Sequence, residues 1–140
     1  MTLSDEQLDR YARHIVLRDI GGSGQSRLLQ SHVLLIGAGG IGCPAIQYLA
    51  AAGVGTISAV DDDIISLSNL QRQVLYSEAE IGQPKVDAAA KAVRRLNPDI
   101  TFHAIKERIT THTSAEILEG VDVVIDGSDN FATRLIVNDL

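Results

Sequence analysis

Short apolar runs alternate with segments of helical periodicity along most of this chain of 140 residues. The runs at 33–36, 56–60, 100–105 and 121–126 each have the length of a buried β-strand. Between them, apolar side chains recur at helical spacing, and Pro44 and Pro84 lie where the first turn of a helix tolerates proline. Strands that alternate with helices predict a parallel sheet with right-handed crossovers. We therefore predict an α/β fold: a Rossmann-like, doubly wound parallel sheet, incomplete at about four strands, in the order 3-2-1-4.

Residues 1–31 predict a helical arm in front of this sheet. Ser4 and Gln7 have capping-box spacing, and apolar residues then recur at helical intervals. We expect the glycine-rich segment 21–24 to end that helix and the segment 25–31 to form a short second helix. Residues 32–140 would form the Rossmann-like domain. Its last predicted helix, 131–140, stops without a C-cap glycine, which indicates a truncated chain.

The composition narrows the class of protein. Hydrophobic residues make up 45% of the chain and aromatic residues only 4%, so we expect a core of aliphatic and alanine side chains. The net charge of −6 argues against a nucleic-acid partner, whose binding face would carry excess Lys and Arg. The polar, acidic start differs from a signal peptide, and the glycines within 32–60 favour buried strands over a membrane span. We expect a cytoplasmic protein without a membrane partner.

Cysteine and histidine offer no metal site. The single cysteine excludes an internal disulfide and any multi-cysteine metal site. We expect Cys43 to be a small buried packing residue and Tyr48, on the same predicted helix, to be a half-buried ring. The histidines His32, His103 and His112 lack the spacing of metal ligands, so we expect structural or surface roles for them.

A glycine-rich turn, Gly37-Ala38-Gly39-Gly40-Ile41-Gly42, follows the first predicted strand directly. Glycines allow close backbone approach, so such a turn can present N–H groups to a phosphate at the start of the next helix. Asp61 follows the second predicted strand, where an acid commonly binds a ribose hydroxyl, and Asp129 follows the fourth. Ligands of doubly wound sheets bind at the carboxyl ends of the strands. The three features therefore predict one nucleotide site.

Charged residues near these positions favour a triphosphate over a dinucleotide. Arg72 and Lys85 could bind phosphate, and Asp129 could hold a magnesium ion. Lys85 lies in the first turn of a predicted helix, where the helix dipole disfavours a cation, and this misfit favours a functional role over that of an ordinary surface lysine. Arg10 and Arg13 lie one turn apart, and their pattern alone favours a solvated basic edge.

The order of these motifs resembles the ThiF/MoeB/HesA family, bacterial relatives of the ubiquitin-activating enzymes. The matching residues, which cover almost the whole chain, are Arg10-Tyr11-x-Arg13, the glycine turn, Asp61, Ser68-Asn69-Leu70-Gln71-Arg72-Gln73, Gln83-Pro84-Lys85 and Ser128-Asp129-Asn130. The resemblance implies an adenylyltransferase that uses ATP and Mg²⁺. Its substrate would be the C-terminal glycine carboxylate of a ubiquitin-like sulfur-carrier protein, of the molybdopterin or thiamine type. The carboxylate, already ionised at neutral pH, would attack the α-phosphate and release pyrophosphate without a side-chain base.

The resemblance also implies roles for individual residues. The implied nucleotide-binding residues are Gly37, Gly39, Gly40, Gly42, Asp61, Ser68, Asn69, Leu70, Gln71, Arg72, Lys85, Asp129 and Asn130. The implied catalytic residues are Arg13, Arg72, Lys85 and Asp129, with Asp129 also the Mg²⁺ ligand. Arg13 would reach into the site of a neighbouring subunit in a homodimer, which replaces the surface interpretation for Arg13 and leaves Arg10 structural.

The chain departs from longer members of that family. Those continue past this point, often with two Cys-x-x-Cys pairs for structural zinc and sometimes an acceptor cysteine, so zinc is expected only in a longer parent chain. The resemblance therefore does not imply that these 140 residues are active alone. Two alternatives stay open: an NAD-dependent oxidoreductase domain, which leaves Arg72, Lys85 and Asp129 without roles, and a non-catalytic relative that binds a partner. The sequence does not distinguish the sulfur pathways.

Overall fold

A computed structural model describes residues 2–140, which form a four-stranded parallel sheet with helices packed on it. The helices are α1 (Asp5–Arg10), α2 (Ala12–Ile15), α3 (Gly21–Gln30), α4 (Gly42–Ala52), α5 (Lys85–Leu96) and α6 (Phe131–Asp139). The strands are β1 (His32–Ile36), β2 (Thr56–Val60), β3 (Thr101–Ile105) and β4 (Val123–Asp126). Short 3₁₀ helices lie at Leu67–Asn69, Glu78–Glu80 and Ala115–Leu118. The predicted third and fourth strands therefore begin one and two residues too early, which is within the usual uncertainty of strand ends.

The strands lie in the order β3-β2-β1-β4, so the predicted α/β class and strand order are confirmed. All three strand pairs are parallel, and β1 pairs with β2 from His32↔Thr56 to Ile36↔Val60. The chain leaves β1 toward β2 on one side and returns to β4 on the other. The order of the strands thus reverses beside β1, and a crevice opens at the carboxyl ends of β1 and β4.

Alternate residues of β1 supply the two layers of the core. Val33 and Leu35 pack in the larger cluster, which α4 and α5 cover, whereas Leu34 and Ile36 pack in a smaller cluster with Ile109 on the other face. This alternation follows from the two-residue period of a strand. Because both faces of β1 are buried, its sequence is an uninterrupted apolar run rather than an alternating one.

The N-terminal arm differs from its prediction. Its first predicted helix is divided at Tyr11 into α1 and α2, although the capping box of Ser4 and Gln7 is present. The glycines at 21–24 do not end a helix but form the first turn of α3, which runs to Gln30. Glycine is a poor helix former in isolation, so tertiary contacts must stabilise this helix. Those contacts are visible at its end, where Gly55 N donates to the Leu28 carbonyl oxygen at 3.0 Å. The division of the chain at 31/32 stays a prediction.

A buried polar network, here called the amino-edge network, joins the arm to the sheet at the amino ends of the strands. The side-chain amide of Asn97 donates to the Tyr11 hydroxyl at 2.8 Å and to the Ala50 carbonyl at 2.9 Å. Gln25 donates to the Ala52 carbonyl at 2.9 Å and accepts from His14 Nδ1 at 2.9 Å. The network therefore satisfies these buried amides with protein partners.

Of the two side-chain burial predictions for α4, one is confirmed and one is wrong. Cys43 is buried, as predicted. Tyr48 is 75% exposed and not half-buried, because its position on α4 faces away from the sheet. Within residues 2–140, no helix combines the length and the apolar character needed to cross a bilayer.

Candidate functional site

A polar cleft of about 480 Å³ lies at the carboxyl edge of the sheet. Its walls are the turn after β1, the acidic residues after β2, the loop 69–73 and the segment 127–134 around the start of α6. This is the crevice that the strand order predicts, and its volume is in the range typical of small-molecule sites.

The glycine turn takes its shape from two of its glycines. Gly37 has φ +93°, and a Cβ there would lie 3.2 Å from the Gly127 carbonyl oxygen, so the turns after β1 and β4 meet backbone to backbone. A Cβ at Gly42 would overlap the Gly37 carbonyl oxygen. Both positions therefore require glycine for close approach. Gly42 shapes the turn without lining the cleft.

The peptide groups on either side of Ala38 are fixed by hydrogen bonds. Ala38 N donates to Asp61 Oδ2 at 2.8 Å, which joins the glycine turn to the end of β2. The Ala38 carbonyl accepts from the Tyr76 hydroxyl at 2.6 Å and from the Cys43 thiol at 3.3 Å. Burial raises the pKa of both the Cys43 thiol and the Tyr76 hydroxyl, so both stay protonated at neutral pH and both can donate. The turn is therefore held rigid before any ligand binds.

Two cations line the cleft from different elements. The Arg72 side chain lies over Gly40, where a Cβ would be 3.6 Å from its Cδ, and Arg72 Nη1 donates to the Ser68 carbonyl at 3.2 Å. Asn69 orients that loop, because its carbonyl accepts from Arg72 N at 3.1 Å. Lys85 is only 5% exposed, and its Nζ lies 3.4 Å from Asp63 Oδ2. A buried ammonium with one exposed partner is suited to bind an anion.

The loop after β4 carries Asp129, and hydrogen bonds hold the backbone on either side of it. Asn130 caps α6 by accepting from Ala132 N at 2.9 Å, and Ser128 donates to Asp126 Oδ1 at 2.6 Å. Arg134 donates to the Ser128 carbonyl through both Nε (3.1 Å) and Nη2 (2.9 Å). Between these residues Asp129 is exposed, and its carboxylate meets no hydrogen-bond or ion-pair partner among residues 2–140. This free carboxylate has the oxygen chemistry that Mg²⁺ prefers.

A second acidic group follows β2. Asp61, Asp62 and Asp63 can bring oxygens within 4.8 Å of one another. Asp61 already accepts from two backbone N–H groups, those of Ala38 and Asp63, both at 2.8 Å. Asp63 pairs with Lys85, so Asp62 and Asp129 are the cleft aspartates that have no protein partner among residues 2–140.

The cleft brings together most of the residues implied by sequence. The implied residues that line it are Gly37, Gly39, Gly40, Asp61, Asn69, Arg72, Lys85, Asp129 and Asn130. Ser68 and Gln71 are exposed beside the cleft, and Leu70 packs against the larger core cluster. Arg13 is exposed on α2 and does not line the cleft. No bound group tests the individual roles, which stay predictions.

The cleft also contains residues that the sequence did not single out as binding residues. They are Ile36, Ile41, Val60, Asp62, Asp63, Gln73, Glu107, Arg108, Ile109, Gly127, Ser128, Thr133 and Arg134. Glu107 and Arg108 follow β3, so the rule that placed Asp61 and Asp129 at strand ends could have found them. Gln73 belongs to the polar run 68–73, but nothing in its sequence distinguishes it from the exposed Gln71.

Comparisons with known proteins agree with this geometry. A model of the ThiF family matches residues 11–140. The SAMP-activating enzyme E1 of Haloferax volcanii is 50% identical over 140 residues, which is 100% of this chain and 52% of that protein. The sulfur carrier protein adenylyltransferase of Thermus thermophilus is 46% identical over 139 residues, 99% of this chain and 51% of that protein. The chain thus spans about half the length of these curated relatives.

A solved structure gives the same fold. The E. coli tRNA N6-threonylcarbamoyladenosine dehydratase, TcdA, in complex with ATP, superposes with a TM-score of 0.90 at 25% identity. The superposition covers 98% of this chain and 56% of that chain.

Proposed function

The chain belongs to the ThiF family, and from this premise we propose that it binds ATP and adenylates a ubiquitin-like sulfur-carrier protein. The reacting group would be the carrier's C-terminal glycine carboxylate. One observation carries the proposal: a rigid glycine turn, the cations Arg72 and Lys85 and the free carboxylate of Asp129 line the same cleft. The name of the Thermus thermophilus relative, and the ATP in the TcdA structure, support the same reaction class.

The proposed chemistry needs positioning and charge rather than a side-chain base. The carrier carboxylate is ionised at neutral pH, so its oxygen forms the bond to the α-phosphorus directly. The bond between that phosphorus and the bridging oxygen to the β-phosphate breaks, and pyrophosphate leaves with the bonding electrons. Arg72 and Lys85 stabilise the negative charge of the phosphates, while N–H groups of the glycine turn orient them.

Asp129 is the residue that would hold Mg²⁺, because its carboxylate has no protein partner within residues 2–140. When bound, the ion would neutralise phosphate charge and favour departure of pyrophosphate. Asp61 would orient the ribose. Its two oxygens each accept one backbone N–H group, and each retains a second lone pair for a ribose hydroxyl.

A second copy of the chain belongs to the proposal. Arg13 lies outside the cleft of its own chain and is exposed, so it is available to a neighbouring subunit's site in a homodimer. The proposed co-substrate, ATP, also favours a cytoplasmic location.

Pyrophosphate exchange tests the proposal. We expect a ubiquitin-like sulfur-carrier protein to stimulate exchange of labelled pyrophosphate into ATP, and the same carrier without its last glycine to be inert. Arg72→Ala and Asp129→Ala should each lower the exchange rate by about 100-fold or more, the scale for one charge-stabilising group. Arg94→Ala is the matched control, because Arg94 is exposed on α5 and does not line the cleft.

Other outcomes of this experiment favour other functions. Near-normal exchange in either cleft variant would contradict the roles given to Arg72 and Asp129. Carrier binding without any exchange, even when the segment that follows in the longer relatives is supplied in trans, would favour the non-catalytic, partner-binding alternative. The oxidoreductase alternative gives Arg72 and Lys85 no role. Tight binding of NADH without binding of ATP would favour that alternative over the adenylyltransferase.

A further inference from the structure

Arg108 is a cation of the cleft whose side chain is bonded to no protein group within residues 2–140. It follows β3, lines the cleft and is exposed. The two other arginines that line the cleft donate to backbone carbonyls: Arg72 to that of Ser68, and Arg134 to that of Ser128. In the part of the chain that the structure describes, Arg108 is therefore the cleft arginine that is free to contact a ligand.

The backbone on both sides of Arg108 is held in place. Before it, Lys106 Nζ lies 2.7 Å from Asp87 Oδ2 on α5. After it, Ile109 is only 5% exposed and packs in the smaller core cluster. Because both neighbouring positions are anchored, the Arg108 side chain starts from a fixed point at the rim of the cleft. A ligand would have to order only the torsions of that side chain.

The order of the strands indicates which part of a nucleotide lies near Arg108. The proposed phosphate-binding turn follows β1, and Asp61, the proposed ribose ligand, follows β2. The next strand on that side is β3, and Asp61 N donates to the Ile105 carbonyl at its end, at 3.1 Å. Neighbouring strands are about 4.8 Å apart, so the end of β3 lies about 10 Å from the end of β1. The ribose of a nucleotide stands between the phosphates and the base, so the base extends toward the end of β3.

The surroundings at this end of the cleft suit the flat face of a base. Val60 and Ile109 line the cleft and belong to the smaller core cluster, so they give it an apolar floor. Among residues 2–140, no Phe, Tyr or Trp side chain lines the cleft. A guanidinium is planar and stacks on aromatic faces, as it does on the splayed bases of RNA. Arg108 therefore supplies the planar side chain that the cleft offers to a base.

We propose that Arg108 binds the adenine base of ATP by stacking its guanidinium on the face of the base. This inference rests on the proposed function, since it requires ATP in the cleft with its phosphates at the glycine turn. The base would lie between the apolar floor and the Arg108 side chain. In this role the plane of the guanidinium matters more than its charge, because the phosphates are about one Debye length away at 0.1 M salt.

Calorimetric titration with Mg·ATP and with inorganic tripolyphosphate tests this proposal, because only ATP carries a base. Arg108→Ala should bind ATP about tenfold more weakly than the unchanged protein, which is within the range for the loss of one stacked base. Its affinity for tripolyphosphate should not change. Its melting temperature without ligand should also stay the same, because Arg108 is exposed and has no partner within residues 2–140.

Two further variants separate the plane of the guanidinium from its charge. Arg108→Tyr keeps a planar face without the charge, so it should bind ATP nearly as tightly as the unchanged protein. Arg108→Lys keeps the charge without the plane, so it should bind ATP more weakly than Arg108→Tyr does. Arg94→Ala is the matched control for the loss of one positive charge, because Arg94 is exposed on α5 and does not line the cleft. The ATP affinity of this control should not change.

The results separate this inference from the proposed function. Unchanged ATP affinity in Arg108→Ala, or ATP binding by Arg108→Tyr no tighter than by Arg108→Ala, would overturn the stacking contact. ATP binding by Arg108→Lys as tight as by the unchanged protein, or an equal loss of tripolyphosphate affinity in Arg108→Ala, would identify a phosphate contact and overturn it too. The proposed function would stand in each of these cases. Failure of the unchanged protein to bind ATP would instead contradict the proposed function, and the inference with it.

Discussion

At the amino edge of the sheet, Asn97 donates to both the Tyr11 hydroxyl and the Ala50 carbonyl, whereas at the carboxyl edge Gln73 and Asp129 meet no side-chain partner among residues 2–140. Both edges contain polar groups that the α/β fold places between helix ends and strand ends. At the amino edge, protein groups satisfy them. At the carboxyl edge, hydrogen bonds fix the backbone, but the side chains of Gln73 and Asp129 have no protein partner among residues 2–140.

The comparison indicates that the amino-edge network stabilises the folded protein and that the cleft contributes less to its stability. Hydrogen bonds of the amino-edge network connect the arm, α4 and α5, so they contribute to unfolding free energy. The cleft uses its internal bonds, such as those to Ala38 and the Ser128 carbonyl, to fix backbone positions. The unpaired buried oxygen of Gln73 costs stability in the free protein, whereas the exposed Asp129 carboxylate is hydrated; both are available to a ligand, a pattern typical of functional sites.

Breaking the amino-edge network should have the largest effect on stability. Asn97→Ala removes two buried hydrogen bonds and leaves the Ala50 carbonyl without that donor. We expect a loss of about 2–4 kcal/mol in unfolding free energy, measured by urea denaturation. ATP affinity at a temperature where the variant is folded should not change.

Asn138→Ala provides the control for that measurement, because Asn138 is exposed on α6. Its unfolding free energy should stay near that of the unchanged protein. If the two asparagine variants were equally stable, the amino-edge network would not be the stabilising region that the comparison requires.

Tyr76→Phe tests a hydrogen bond at the glycine turn whose donor and acceptor are both protein groups. The variant loses the 2.6 Å hydrogen bond to the Ala38 carbonyl, which keeps the Cys43 thiol as a donor. We expect a moderate loss of about 1 kcal/mol in unfolding free energy. Tyr48→Phe, at an exposed ring, should change nothing. A loss as large as that of Asn97→Ala would show that the two edges do not differ in the way described.

Arg134→Met should have the smallest effect on stability and a visible effect on binding. Arg134 is exposed, so its loss should change unfolding free energy by less than about 0.5 kcal/mol. Its two bonds position the Ser128 carbonyl beside Asp129, so the KM for Mg·ATP should rise by roughly tenfold through misplacement of that loop. Arg134→Lys should restore only part of the affinity, since lysine lacks the planar fork. An unchanged KM in Arg134→Met would argue against a positioning role.

The parts of the fold that follow from local rules were predictable. The run 33–36, the glycine turn and Pro44 identify β1 and the start of α4, and they need no knowledge of distant residues. The strand order then places Asp61 and Asp129 at one edge, because parallel strands end on the same side. For this reason the crevice could be located from sequence, together with nine of its 22 lining residues.

Features set by tertiary contacts were not predictable. The glycines at 21–24 are in a helix because the end of α3 is bonded to the segment before β2, which their own helix propensity does not indicate. Gln71 and Gln73 differ only in burial, and burial depends on the path of the whole loop. The role of Arg13 concerns a second copy of the chain, so it stays a prediction.

The contact between Gly37 and Gly127 has a consequence for protein engineering. A Cβ at Gly127 would lie 3.4 Å from the Ile36 carbonyl oxygen, and one at Gly37 would lie 3.2 Å from the Gly127 carbonyl oxygen. A library that randomises Gly37 would therefore consist mainly of clones in which the two turns are forced apart, whereas a Cβ at Gly127 makes only ordinary van der Waals contacts. Engineering of the cleft should therefore hold Gly37 constant.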